Sequence, residues 1–212
     1  MTLWIYFILF LIQFINQRAR ADECEQFPPE MNMNLQQCCT FANISDPKIE
    51  NKIKTLVKET SSSSKNNFET ACKVAQMVFK EMKLTKDNLI DPDSYSKMID
   101  SKIPENMEFW KQPLKNGFNQ CQQKLLTDVT KITELFSNHP FNVKKEECDA
   151  QYLVMFMCLH LDSFVNCPEQ AWKIVGDEST HKACDTVKSW FGNCGKDLNA
   201  LKKIVLKSTG MN

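Results

Sequence analysis

Apolar residues recur at helical spacing along most of the chain. After Ser45-Asp46-Pro47, a capping side chain followed by an early proline, Ile49, Ile53, Leu56 and Val57 make one stripe while Lys and Glu cover the other face. The run Ser61-Ser62-Ser63-Ser64-Lys65-Asn66-Asn67 has nothing to bury and predicts a loop within one helical bundle. Phe68, Cys72, Ala75 and Phe79 then repeat at helical spacing, widened by Val78 and Met82, which predicts a second helix with a cysteine on its inner face. Asp91-Pro92 caps a short helix with Tyr95, Met98 and Ile99 inside, and Pro104 ends it. Pro113 is expected to start the next, with Leu114, Phe118, Cys121 and Leu125 on one face, continuing through Val129, Ile132 and Leu135 to a break at Asn138-His139-Pro140.

The stretch from Cys148 to Pro168 is apolar on nearly every side. Tyr152, Met155, Phe156 and Leu159 follow one helix face, and Leu153, Met157, Leu161 and Val165 fill much of the other, so a buried central helix is predicted, stopping at Cys167 before Pro168. An unbroken helix would put Cys158 and Cys167 on opposite faces, each tied to a different neighbour. Farther on, Ser179-Thr180 opens a helix in which Cys184, Val187 and Phe191 share a face and Gly192 is placed to close the end. Leu198, Leu201, Ile204 and Val205 predict a last amphipathic helix. No segment alternates with period two for long, so the fold class is all-α, a compact disulfide-bridged helical bundle in a single domain over residues 22–212.

The first residues stand apart from this pattern. Thirteen residues from Leu3 to Ile15, apolar except Gln13, precede Ala19-Arg20-Ala21, which fits a secretory signal peptide over residues 1–21. That run falls short of the roughly 20 residues a membrane span needs, so no membrane insertion is expected once it is removed. All ten cysteines, Cys24, Cys38, Cys39, Cys72, Cys121, Cys148, Cys158, Cys167, Cys184 and Cys194, follow the cleavage site, and an even count in a secreted, extracellular chain argues for bridges. Cys-x2-Cys knuckles are missing and His139, His160 and His181 form no ligand pair, so neither metal nor cofactor is expected. Asn43-Ile44-Ser45 fits the N-glycosylation pattern at Asn43, although Ser45 is also wanted as a helix cap.

Lys plus Arg equals Asp plus Glu at 26 each, which removes the electrostatic case for nucleic acid as a partner. Enzyme signatures are missing too. Thr40-Phe41-Ala42 follows the vicinal Cys38-Cys39 where a His-Asp dyad would be needed, Gly-x-Ser-x-Gly is absent, and His160 and Asp162, two residues apart, do not face each other on a helix. His160 is therefore read as a partly buried, hydrogen-bonded side chain. Fourteen Phe and ten Met suit a solid core and an adaptable apolar pocket equally well.

The joint cysteine spacing is more specific. Cys148-x9-Cys158-x8-Cys167-Pro168, with Cys121 separated from Cys148 by 26 residues, resembles the Plus-C subclass of insect odorant-binding proteins. So do the segment opened by Cys72, the Cys38-Cys39 pair before an Asp-Pro helix start, and Trp172, Cys184 and Cys194 beyond Pro168, which would open a C-terminal extension. One position departs, Gln76 standing where the family has the second cysteine of its Cys-x3-Cys. The resemblance implies a secreted carrier, without enzymatic activity, that takes small apolar volatiles, odorants or pheromones, through sensillar fluid, with a chemosensory receptor as a further partner. It implies that Cys72 pairs with Cys158 and leaves Cys167 to Cys121 or Cys148. Family geometry would also place the ligand in an apolar cavity walled by Met155, Phe156 and Leu159, facing Val78, Met82, Leu114 and Phe118. The alternative is a secreted helical interaction protein, of salivary or venom type, acting through its surface.

Overall fold

The computed structural model describes residues 24, 28–42, 44, 46–63, 67–138, 145–173 and 175–195. The segment 1–21 expected to be a signal peptide, Asn43, Ser45, His139-Pro140 and the helix expected over 198–205 lie outside them. By packing, the chain forms two compact units, one of residues 40–172 and one joining the part up to Cys39 with the part from Lys173. The first ends a turn beyond Pro168, where the extension was expected to begin.

The unit of residues 40–172 is a disulfide-bridged helical bundle. Asp46 caps its first helix, α1 (Pro47–Ser63), by accepting the Lys48 N–H at 2.9 Å. Ser61 to Ser63 belong to this helix and not to a loop, which corrects the sequence expectation. A serine run contains no Gly or Pro, so an established helix propagates through it at little cost. Next, α2 (Asn67–Glu81) buries Phe68, Cys72, Ala75 and Phe79, the stripe its spacing predicts. A hairpin follows that the period-two search missed, because its strands β1 (Thr85–Lys86) and β2 (Leu89–Ile90) are two residues each. Its turn residues Asp87 and Asn88 both have positive φ, 52° and 61°, as a tight two-residue hairpin requires.

Asp91 accepts the Ser94 N–H at 2.9 Å and caps α3 (Pro92–Lys102), which buries Tyr95, Met98 and Ile99 as predicted. A 3-10 segment, Glu105–Trp110, leads into α4 (Lys111–Ser137), so this helix starts two residues before Pro113. Pro113 is tolerated because the first turn leaves its N–H groups without intrahelical partners. The central helix α5 (Ala150–Val165) is capped by Asp149 and stops at Val165, two residues short of Cys167. Along α4 and α5, Gly117 lies against Asp162 and Cys121 is bonded to Cys158, a step of four residues up one helix and down the other. The two helices are therefore antiparallel and in register by one turn.

In the other unit, Cys24–Cys194 and Cys38–Cys184 bind the N-terminal 3-10 turns (Pro29–Asn32 and Leu35–Gln37) to α6 (Glu178–Cys194). Cys184, Val187 and Phe191 are all buried on α6, as their spacing predicts. Gly192 does not close the helix, which continues to Cys194 and is capped at Gly195. Burial of Trp190, Phe191 and Cys194 outweighs the roughly 1 kcal/mol that a mid-helix glycine costs. Asp177 caps the start, accepting from Ser179 and from the N–H and hydroxyl of Thr180, and these bonds hold its carboxyl down at about 2. A depressed carboxyl stabilises the fold above its ordinary value and loses that contribution as pH falls through the folded value. NMR titration of Asp177 should thus give a midpoint near 2, with the α6 cap intact at pH 4 and about half lost at pH 2. A midpoint near the unperturbed 3.8 would remove the cap.

Candidate functional site

The central helix α5 is held from two sides. Along α2, Lys73 donates to Glu147 at 3.1 Å, Cys72 is bonded to Cys148, the Gln76 amide oxygen accepts the Asp149 N–H at 3.2 Å, and Phe79 meets Tyr152 at 5.8 Å between ring centroids. These contacts advance along both segments together and set the start of α5 against α2. Gln76, at the position where the resemblance expects a cysteine, thus holds the α5 N-cap residue by a hydrogen bond contributing about 0.5–1.5 kcal/mol. The hydrogen bonds that Lys73 donates to Glu69 and then to Glu147 raise its pKa. The hairpin adds to this end, its Asn88 carbonyl accepting the Tyr152 hydroxyl at 2.9 Å.

The pairing differs from what the resemblance implied. Cys72 bonds Cys148 and Cys158 bonds Cys121, so neither the Cys72–Cys158 bridge nor a Cys167 bond to Cys121 or Cys148 is formed. Cys39 and Cys167 are each disulfide-bonded as well, so that all ten cysteines are bonded. The opposite-face expectation for Cys158 and Cys167 fails because α5 ends before Cys167. Their consequence survives, since the two cysteines are not bonded to each other.

Across α3, α4 and α5 an apolar wall carries one polar point. Tyr95 stacks on Phe118 at 4.2 Å with an interplanar angle of 24°, and the two are 4% and 1% exposed. Next to Phe118, the backbone of Gly117 lies against Asp162, and a Cβ there would clash with the Asp162 Oδ2. The other carboxylate oxygen accepts from Asn166 at 2.9 Å. Burial, and then the charge on Asp162, push the Tyr95 phenol well above its ordinary pKa, so it stays protonated. Glycine inside a helix and aspartate inside an apolar helix were the sequence signals for this point, but nothing in one dimension joins them.

The residues expected to wall a cavity are distributed unevenly. Phe118 and Met155 are buried, at 1% and 0% exposure. Val78, Leu114 and Leu159 are half-buried on their helices, and Met82, half-buried too, lies in the turn just past the end of α2. Phe156 is 46% exposed and so stands at the surface of the central helix, on which water was expected to reach little. His160 keeps an exposed edge and stacks on Phe41 at 5.6 Å, and this packing, by desolvating the ring, lowers its pKa. Phe41 in turn stacks on Trp110 at 6.0 Å, whose indole N–H donates to the Thr40 carbonyl at 3.2 Å.

Comparison of the chain with protein-family models, with curated proteins and with solved structures finds no match.

Proposed function

We propose that this chain is a secreted, non-enzymatic carrier of small apolar molecules, of the odorant-binding kind that its cysteine spacing resembles. The observation that carries the reading is the buried Tyr95–Phe118 stack between α3 and α4, with Met155 buried on α5, the helix that a disulfide ties to α4. Full disulfide bonding fits an oxidising extracellular setting, and among the described residues no helix is long and apolar enough to cross a membrane. A carrier of this kind takes a sparingly soluble molecule out of water, gaining roughly 25 cal/mol per Å2 of apolar surface removed. Bridges keep such a bundle from collapsing onto the space the ligand occupies.

The competing reading, a surface-acting interaction protein, draws on Leu126 and Val129, 71% and 49% exposed on one face of α4. Displacement of an apolar anilinonaphthalene probe from the secreted protein by small volatiles separates the two. The carrier reading expects saturable displacement, and failure of every apolar ligand tried would pass the function to the surface.

A further inference from the structure

One helix of the bundle is held differently from its neighbours. Bridges fasten α2, α4 and α5, whereas α1 contains no cysteine and packs chiefly on α2. The Lys52–Glu81 ion pair, at 2.6 Å, sets α1 beside the face of α2 that Glu81 shares with Val74, Met77 and Val78, at helical spacing before it. These three are only half-buried. So are Ile49, Ile53 and Leu56 on α1, and Val57 next to them is 40% exposed. By contrast the stripe that α2 turns toward the start of α5, Cys72, Ala75 and Phe79, is at most 2% exposed. No described apolar residue of α1 reaches the core, and neither does any of the three on the facing side of α2.

We propose that α1 is a lid: it parts from α2 while the bridged helices stay packed, and apolar cargo enters across the face of α2 that it uncovers. The entry role rests on the carrier reading, and the parting of the helix does not. Local opening of a folded protein begins where little apolar surface is buried and polar contacts are open to water. Both conditions hold for α1. Its ion pairs to other helices, Lys52–Glu81 and Asp46–Lys102 at 3.9 Å, join side chains that are all at least 38% exposed, and such pairs hold little in water. The chain is anchored on either side of the loose part. Upstream, Phe41 stacks on both Trp110 and His160; downstream, Thr60 is buried and donates its hydroxyl to the Leu56 carbonyl. Opening is thereby confined to the turns before Thr60, and what it bares is the Val74, Met77 and Val78 face, an apolar surface for an incoming apolar molecule.

The test begins with hydrogen exchange of the native, fully bridged protein, followed by mass spectrometry. Amides of residues 51–59 should exchange about a hundredfold or more faster than those of residues 72–79 and 153–162, because they open locally and the others do not. Equal protection in α1, α2 and α5 would overturn the proposal. Ile53→Pro removes a backbone donor inside α1 and breaks the helix there. Protection should then be lost in α1 and kept in α2 and α5, whereas its loss in all three would make α1 part of the cooperative core and also overturn the proposal. In the same variant the association rate of the anilinonaphthalene probe should rise about tenfold or more, since the open form is no longer the minor one. An unchanged rate, with volatiles still displacing the probe, would overturn the entry role and leave the carrier reading standing. If no apolar molecule binds the native protein, the carrier reading falls and the entry role with it, and exchange still decides whether α1 parts from α2.

Discussion

Phe118→Ala should destabilise the protein by about 3–5 kcal/mol, the range for deleting a buried phenylalanine ring. The ring is 1% exposed and stacks flat on Tyr95, so its removal forfeits both burial and the ring contact, worth about 0.5–1.5 kcal/mol beyond area. Phe118 also neighbours Gly117, which abuts Asp162, so the void would open at the polar point. Urea unfolding of the protein with its disulfides intact checks this, read as a lower midpoint at unchanged slope. A loss under about 1 kcal/mol would mean that the ring borders open space, and probe affinity on the same variant would then change instead.

Removing the Cys72–Cys148 bridge by a double substitution to alanine should cost about 2–5 kcal/mol, as for native bridges of secreted domains. Removing Cys121–Cys158 should cost less. The first closes a separation of 76 residues and the second one of 37, and each doubling of loop length adds about 0.6 kcal/mol to the closure entropy. The two bridges also act at different places. Cys148 immediately precedes the α5 cap residue, where Gln76 and the Lys73–Glu147 pair remain to hold the chain, whereas Cys158 lies on α5 one turn from Asp162. Loss of the second should therefore lower stability less than loss of the first. Peptide mapping under non-reducing conditions fixes the assignment, and a recovered Cys72–Cys158 peptide would falsify it.

Where a local signal was strong, the elements follow it. Asp91-Pro92 opens α3 because the carboxylate can reach a backbone N–H three residues on, and the 68, 72, 75, 79 stripe is buried because only one face of a helix can carry it. Misplaced boundaries occur where the chain is locally indifferent. The serine run is compatible with helix or loop, and propagation from α1 decides; Gly192 permits a helix end, but the buried residues around it extend α6 to Cys194.

Pairing was less legible. Helical periodicity says toward which side of its own helix Cys72 points, and nothing about what stands there. The partner depends on how α2 crosses the start of α5, a crossing set by Phe79 on Tyr152 and Gln76 on the Asp149 N–H.

Local pattern was enough for the helical class, the buried faces of α2, α3 and α6, and the capping role of Asp91, whereas the cap of α1 falls on Asp46 and not on the Ser45 expected. Each of these is decided within a few turns of chain, by backbone hydrogen bonding and by a single period. Tertiary structure alone decided which cysteine meets which, that Phe156 stands at the surface, and that Asp162 approaches the backbone at Gly117. Those outcomes depend on the rotation and register of one helix against another. A rotation of one residue, about 100°, exchanges buried and exposed positions without altering the periodicity from which the helices are recognised.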